Sequence, residues 1–339
     1  MGLINSLLTI FILIIVVVLL YPYILQALSS LPSANQSGLQ LTNYAQPPTY
    51  APSNATVAYA LQLINNDRNA FGVANVTVSN ITSAQQHADS MLRYGYFSHW
   101  DIYGMKPYMR YTLVGGRGAV DENIGYVYRS NGINVTQTLQ QIEHNFVYND
   151  AKCCNNGHRD NILDPMHTQV SIGIAYNATT LYFVEDFINN YINWQSGTPA
   201  VTQNADVSLS GVLAPGYNIS SVEIVYDTPV RNLTTAQLAR SPYNSSYSFG
   251  QTVGGVGYSQ NGRVFYYQNL TTINATVYSI QANRFDIRFG LSGLIHTYGA
   301  GEYTVVVWLA GSSKSSSFVG STYTVFVNGN GQAYVPSSV

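Results

Sequence analysis

The sequence contains very little charge. Only 30 of its 339 residues are Asp, Glu, Lys or Arg, and the formal net charge is −2. No run of Lys or Arg occurs, and basic residues do not alternate with aromatic ones. Nucleic-acid binding depends on clustered cations that neutralise phosphates, so we expect no nucleic-acid partner. In a chain with so few charges, we expect a local cluster of ionisable groups to have a role beyond keeping the surface soluble.

Cysteine is almost absent as well. It occurs only at the adjacent positions Cys153 and Cys154, which excludes a scaffold built on disulfides. Adjacent cysteines form a vicinal disulfide, hold a metal ion as two thiolates, or remain free thiols, and the sequence leaves all three states open. Because disulfides persist outside the cytoplasm, we favour the oxidised pair.

The one stretch that concentrates ionisable groups is residues 153–165, CCNNGHRDNILDP. A glycine followed by polar residues, an apolar pair and Pro165 predicts one or two helical turns that start after the glycine. Such a short helix points one or two of its side chains toward the neighbouring segment on which it packs. His158 is the side chain of most interest there.

The first 66 residues contain no Asp, Glu, Lys, Arg or His. An apolar run within residues 1–28 is long enough, with its flanks, to reach the roughly 20 residues that span a bilayer. It lacks a basic leading segment and a small-residue cleavage site, so we expect an uncleaved transmembrane anchor at 1–28 rather than a signal peptide. Residues 29–53, rich in Pro, Ser and Asn, are typical of a linker.

Potential N-glycosylation sites indicate on which side of the membrane the rest of the chain lies. Eleven Asn-x-Ser/Thr sequences are spread over the chain after the apolar run. We therefore expect a glycosylated, single-pass protein of the cell membrane, contacting the membrane through its N-terminal helix. The bulk of the chain is then extracytoplasmic.

Residues 54–195 combine helical and strand patterns. Apolar residues recur at helical spacing in three segments, which begin near Asn54, at Ser83 and near Val135. Two β-rich runs, 170–176 and 181–184, predict strands joined by a turn. Helices packed against a small sheet predict an α+β domain over 54–195.

Residues 200–339 differ in pattern. After a Ser-Gly-Thr-Pro boundary at 196–199, short runs of β-branched and aromatic residues are separated by clusters of Gly, Asn and Ser. This pattern predicts an all-β, sandwich-like domain over 200–339. We assign no functional residue to it.

Four side chains of the first domain have the chemistry of a binding or catalytic cleft: His99, Glu122, Glu143 and His158. Imidazoles bind divalent metals directly, and carboxylates hold a bound water or the second imidazole nitrogen. The same groups also form proton relays, because histidine titrates near neutrality. No HExxH or G-x-S-x-G motif is present, so spacing alone leaves both possibilities open.

Five segments of the sequence follow an order that resembles the CAP (SCP-like) superfamily, which includes cysteine-rich secretory proteins, insect venom allergens and plant pathogenesis-related proteins. The segments are SHWDIYGMKPYMR, DENIGY, GHRDNILDP, VSIGIAY and FVEDF, and the likeness covers residues from about 57 to 190. The SH, ENI and GHR elements resemble those of prokaryotic members most.

The resemblance implies a three-layer α-β-α sandwich with a cleft lined by two histidines and two acidic residues, which in some members holds a divalent metal. By motif, His99 and His158 correspond to the histidines and Glu122 to the acid of the ENI element. Glu143 corresponds to the second acid by order and distance only, and Asp150 competes with it. His167 is the runner-up for the second histidine.

The complete prediction is an α+β chain: a transmembrane helix, a three-layer α-β-α CAP sandwich, and an all-β sandwich-like domain. We expect a surface module that binds a metal or an apolar ligand, with zinc or magnesium held by His99 and His158 and a cell-surface or lipid ligand as partner. No catalytic residue is assigned. The alternative is a metal-dependent hydrolase of cell-envelope peptide or glycan, with Glu122 or Glu143 as the base.

Overall fold

The computed structural model describes residues 52–260, 263–265, 270–311 and 317–336. The predicted anchor at 1–28 and almost all of the predicted linker lie outside these residues. Within the described ranges, no helix is long and apolar enough to cross a membrane. The longest has 17 residues and carries charged side chains. This finding overturns the predicted single-pass location in the cell membrane.

The first half of the described chain contains both helices and strands. The helices are α1 (Asn54–Ala70), α2 (Ser83–Tyr94), α3 (Pro107–Leu113), α4 (Val135–Tyr148), α5 (Ala151–Cys154) and α6 (Gly157–Ile162), and the strands are β1 (Thr77–Val78), β2 (Ala119–Tyr128), β3 (Gln169–Tyr176) and β4 (Thr180–Asn189). The sheet order is β1-β3-β4-β2, with β1 parallel to β3 and the other pairs antiparallel.

Helices cover both faces of this sheet. Successive strand residues point to opposite faces, so Phe183 packs with α1 and α4 while its neighbour Val184 packs with α2. The result is a three-layer α-β-α sandwich, as expected for this region. The core positions of α4, Leu139, Ile142 and Phe146, are buried as the helical spacing predicts.

Helix α2 approaches strand β3 unusually closely, and a glycine makes this possible. A Cβ atom at Gly173 would lie 2.1 Å from the backbone oxygen of Ala84. Only glycine leaves room for the helix at that distance. The contact holds one helical layer against the sheet.

The second half is almost entirely β-structure. Its strands are β5 (Ile192–Trp194), β6 (Ala200–Val201), β7 (Asp206–Leu213), β8 (Tyr217–Asp227), β9 (Gln251–Gln260), β10 (Arg263–Phe265), β11 (Thr271–Asn274), β12 (Val277–Gln281), β13 (Arg284–Gly290), β14 (Gly301–Gly311), β15 (Ser317–Val327) and β16 (Ala333–Tyr334), and its helices are α7 (Thr235–Leu238) and α8 (Ser292–Tyr298). One sheet runs β10-β9-β8-β14-β15-β16 and the other β12-β13-β7-β5. Side chains from both sheets share one core.

A long connection between β8 and β9 leaves the second half and packs on the first. We call these residues, 228–250, the arm. Leu233 and Leu238 of the arm are buried beside α2, and the Leu233 amide donates to the Ile102 carbonyl at 2.7 Å. Residues from Gln46 onward cluster as one compact unit. The predicted division at 196–199 into separate domains therefore stays a prediction.

Candidate functional site

A cavity of about 780 Å³ opens where the loop after α2, the start of β2, helix α6 and the arm meet. Three of the four predicted site residues line it: His99, Glu122 and His158. The fourth, Glu143, is not among the residues that line it. Two consecutive residues of β2, Glu122 and Asn123, each form a hydrogen bond with one of the two histidines. Glu122 faces the side of His99, and Asn123 donates to the His158 carbonyl at 3.2 Å.

Arg110, Glu122 and His99 form a hydrogen-bonded chain that fixes the His99 ring. Its Nδ1 atom lies 2.9 Å from Oε1 of Glu122, and the Oε2 atom of the same carboxylate accepts from Arg110 at 2.6 Å. Arg110 also donates to the carbonyl of His99. The imidazole is thus held from its ring and from its backbone. Both oxygens of the carboxylate are engaged.

The electrostatics of this chain favour a permanently charged Glu122. Burial alone would raise the pKa of its carboxyl group, but the Arg110 charge and the His99 hydrogen bond outweigh burial and lower the pKa to about 2. His87, also buried, donates from Nε2 to the Ser98 carbonyl, and burial with the nearby Arg110 charge lowers its pKa to about 3. His87 is therefore a neutral structural histidine.

His158 is held in the same manner by a different acid. Its Nδ1 atom lies 2.7 Å from Oδ1 of Asp150, and Oδ2 of Asp150 accepts from the backbone amides of His158 and Arg159 at 2.8 and 3.3 Å. The imidazole stacks on Phe146 with ring centroids 4.4 Å apart. The carboxylate therefore caps α6 and orients the ring at the same time.

Glu143 has a different environment from the predicted one. It is 2 % exposed, and neither of its carboxylate oxygens has a hydrogen-bond partner among the described residues; Glu185, a buried residue of β4, is its neighbour. Burial and the neighbouring Glu185 raise the pKa of Glu143 well above its ordinary value. The cause is helical spacing, which places Glu143 among the core positions of α4. Asp150 lies just beyond the end of α4 and reaches the cleft instead.

The two cysteines lie on the rim of the cavity. Cys153 and Cys154 form a disulfide on the short helix α5, and both residues are exposed. This pairing corresponds to the oxidised state favoured above. Asp150, Cys153, Cys154 and His158 also form a group whose potential metal-binding atoms all lie within 4.8 Å of one another.

One wall of the cavity comes from the arm, which the sequence did not predict. Residues 244–249 line it. Tyr247 contacts the His99 ring at a centroid distance of 5.0 Å, and its hydroxyl accepts from the Glu122 amide at 3.0 Å. The only signal was an aromatic-rich NSSYSF segment, and no local pattern tells which domain such a segment packs against.

His167, the runner-up for the second histidine, lies outside the cavity lining. It is buried, with Nδ1 2.8 Å from Oδ1 of Asn189 and Nε2 2.9 Å from Oδ1 of Asn161. Both ring nitrogens are engaged by structural amides. His167 therefore has no nitrogen free to hold a ligand.

The arrangement presents two imidazoles with the same chemistry. In both His99 and His158 a carboxylate accepts at Nδ1, which places the lone pair of the neutral ring on Nε2. Among the described residues, neither Nε2 atom has a hydrogen-bond partner. Carboxylate–histidine pairs of this kind support metal ligands and also general bases.

Comparison with known proteins finds a family match for one segment of the chain. Residues 61–187 match the cysteine-rich secretory protein family, CAP. This segment is a CAP domain. No curated protein matches the chain.

Two solved structures are similar to part of the chain. One is an extracellular protein containing a SCP domain from Bacillus anthracis str. Ames, with 18% identity, a TM-score of 0.33, and coverage of 40% of this chain and 41% of that one. The other is the CAP domain of enterococcal PrgA, with 14% identity, a TM-score of 0.26, and coverage of 39% and 59%. The chain thus spans about two-fifths and three-fifths of the lengths of these two structures.

Proposed function

We propose that the CAP domain is a ligand-binding module whose cleft holds a divalent metal ion through the Nε2 atoms of His99 and His158. The observation that carries this proposal is the pair of carboxylate-held imidazoles in one cavity. A carboxylate at Nδ1 fixes the tautomer and orientation that a metal-binding imidazole needs.

The charges around the cleft fit a cation. Its lining includes Asp121, Asp160 and Asp164 and, among the described residues, no lysine or arginine. Two imidazole nitrogens suit zinc better than magnesium, which prefers oxygen ligands. Two protein nitrogens leave coordination positions open for water or for a bound ligand.

Glu122, a base named for the hydrolase alternative, is unsuited to that role. Glu122 has both oxygens engaged, and its pKa is lowered to about 2, far below the range in which a general base is effective. Ser98, the hydroxyl nearest His99 in sequence, donates to the Tyr243 carbonyl at 2.6 Å rather than to an imidazole. We therefore favour binding of a cell-surface or lipid ligand over hydrolysis.

A metal titration of the oxidised full-length protein tests the proposal. After treatment with a chelator, the wild type should bind about one zinc ion in the cleft. His99→Ala and His158→Ala should each weaken this binding tenfold or more, because each removes one of two protein ligands. His296→Ala, at an exposed position of α8, is the matched control and should bind zinc like the wild type. Equal zinc content in all four proteins would reject the site.

A turnover assay separates the two functions. The zinc-loaded protein is incubated with fragments of envelope peptide and glycan, and products are followed by mass spectrometry. We expect no cleavage. Zinc-dependent cleavage that Glu122→Gln abolishes would support the hydrolase instead.

A further inference from the structure

The Cys153–Cys154 disulfide has no evident structural task. The two residues are adjacent in sequence, so the bond closes no loop of the chain and removes little conformational freedom from the unfolded state. Both cysteines are exposed on α5 and are not part of a core. Their position at the cleft, next to the acid that orients His158, calls for a chemical explanation.

Asp150 lies at the centre of this cluster. Its Oδ1 atom is 2.7 Å from Nδ1 of His158 and 3.4 Å from Sγ of Cys153. The other carboxylate oxygen is held by two backbone amides, which fixes the direction of Oδ1. Asp150 itself is 2 % exposed, whereas Cys153 and Cys154 are exposed residues. A buried, fixed oxygen donor and an imidazole therefore flank an accessible pair of sulfur atoms.

The spacing of these atoms fits a tetrahedral metal site. The four potential ligand atoms lie within 4.8 Å of one another. Bonds of about 2.0–2.3 Å to zinc require neighbouring ligand atoms about 3.3–3.8 Å apart. Rotation of the two exposed cysteine side chains can adjust the sulfur positions. The 2.7 Å hydrogen bond between Oδ1 of Asp150 and Nδ1 of His158 must also break and lengthen by about 0.6–1.1 Å before both atoms bind one ion. Two thiolates, one imidazole and one carboxylate are a set that zinc and softer divalent ions such as cadmium bind.

The disulfide blocks this site, because metal ligation by cysteine requires thiolates. We propose that reduction of Cys153–Cys154 creates a second metal site, formed by the two thiolates, Asp150 and His158, and that the cleft therefore binds soft divalent metals under redox control. The site is distinct from the proposed His99–His158 site. His158 contributes Nδ1 here and Nε2 there.

The chemistry balances with a dithiol as reductant. A thiolate of the dithiol attacks one sulfur atom, and the S–S bond breaks to give a mixed disulfide. The second thiol of the reductant then displaces the other cysteine. Two electrons and two protons pass to Cys153 and Cys154, and the reductant becomes a disulfide. Binding of a divalent ion subsequently releases the two thiol protons, and the proton on Nδ1 of His158 moves to solvent or to Nε2 so that Nδ1 can bind the ion.

Cadmium and zinc titrations of the full-length protein in two redox states test this proposal. One sample is kept oxidised, and the other is reduced with a phosphine that is removed under argon. The reduced wild type should bind one more ion per chain, or bind the ion at least tenfold more tightly, than the oxidised form. With cadmium it should also show thiolate-to-metal absorption in the ultraviolet.

Three variants assign the effect. Cys153→Ser/Cys154→Ser should bind equally with and without reductant and show no thiolate absorption. Asp150→Asn should weaken the reduced-state site, and circular dichroism checks that it folds. His99→Ala should lose the His99–His158 ion in both redox states and keep the binding gained on reduction, which separates this proposal from the first one. The absence of thiolate absorption in the reduced wild type, or a gain on reduction that persists in the double serine variant, would overturn it.

Discussion

Two carboxylates determine what the histidines of the cleft can do. Glu122 binds His99 and Arg110 at once, and Asp150 binds both the ring and the backbone of His158. Both acids orient a base rather than act as one. The CAP cleft of this chain is therefore best described as two fixed imidazoles, each with one nitrogen free for a ligand.

Three of the four predicted site residues line the cavity, and Glu143 does not. His99, Glu122 and His158 could be predicted because each lies in a short motif whose order resembles the family. Glu143 was matched by distance alone, and distance along a helix does not reveal which face carries a residue toward the cleft. Asp150 was a competitor in the sequence, but only tertiary structure shows that it bonds to His158.

Glu122→Gln should destabilise the protein by about 3 kcal/mol, because it leaves the buried Arg110 guanidinium without its anion. Urea unfolding near neutral pH measures this. Asp160→Asn, at an exposed acid of the same cleft, is the control and should change the free energy of unfolding by less than about 0.5 kcal/mol. Similar values for the two variants would contradict the role given to Glu122.

The same residue predicts an acid-labile contribution. The pKa of Glu122 is about 2 in the folded protein against an ordinary value of 4.5, so the folded state favours the ionised form. Its stabilising effect is complete above pH 4.5 and is lost as the pH falls toward 2. Between these values, the wild type should lose its stability advantage over Glu122→Gln.

The pair of Glu143 and Glu185 predicts the opposite dependence. Burial is the main cause that raises the pKa of Glu185 to about 7, above the ordinary value of 4.5, so the folded state binds the proton more tightly than the unfolded state does. The stability that this proton provides is lost as the pH rises through 7. The wild type should be more stable at about pH 6 than at about pH 8, by about 1 kcal/mol from this pair.

The isosteric double variant Glu143→Gln/Glu185→Gln isolates that effect. It cannot titrate, so its free energy of unfolding should show a smaller decrease over the same pH range. Urea unfolding of both proteins at both pH values gives the comparison. Parallel pH profiles would show that the pair holds no proton near neutrality.

At the scale of elements, helices were easier to predict than strands. The bounds of α4 follow from its spacing of Leu139, Ile142 and Phe146, and capping by Ser53 marks the start of α1. The strand β2 was missed because its glycine and charged residues, DENIG, interrupt the β pattern. Those residues are the ones that form the cleft floor. The residue types that the cleft requires at these positions are not the ones that favour strands.

The contact between α2 and β3 predicts a sharp difference between two glycines. Gly173→Ala should destabilise the protein by about 2 kcal/mol or more, because its Cβ would meet the Ala84 oxygen at 2.1 Å. A Cβ at Gly293, in helix α8, meets nothing within 4 Å. Gly293→Ala should therefore be neutral or stabilise by up to about 1 kcal/mol. Thermal unfolding followed by circular dichroism compares them, and equal melting temperatures would refute the close contact.

The arm should detach when its main anchor is removed. Leu238 is fully buried, and Leu238→Ala should cost about 2–5 kcal/mol. Arg231 and Arg240 of the arm are exposed already, but trypsin needs a locally unfolded backbone around them, which detachment would supply, so cleavage there should accelerate. Ile280→Ala, at a partly exposed strand position, serves as control. Unchanged cleavage in Leu238→Ala would mean that the arm is held by other contacts.

At the scale of the molecule, the two halves pack against each other more extensively than the sequence predicts. Composition and pattern distinguish an α+β half from a β-rich half, and both kinds of structure are present. No periodic pattern in the sequence predicts the arm. None predicts that Phe326 of β15 packs against Met109 of α3. Long-range contacts of this kind depend on shape rather than on local pattern. Glycosylation stays a prediction.

The shared core predicts that residues 54–195 do not fold well alone. Without the arm and β15, the truncated chain would expose apolar side chains that Leu233, Leu238 and Phe326 cover in the whole protein. It should aggregate, or melt at a lower temperature than residues 52–336. Size-exclusion chromatography and thermal unfolding decide this. A monomer as stable as the longer chain would instead support the domain division at 196–199.

The central claim is that His99 and His158 together hold one divalent ion. Anomalous diffraction at the zinc edge, from crystals of the oxidised full-length protein grown with zinc, tests it most directly. The account predicts one peak bonded to the Nε2 atoms of both histidines, with Nδ1 still on Glu122 and Asp150. A cleft without a peak, or zinc bound to neither imidazole, would contradict it.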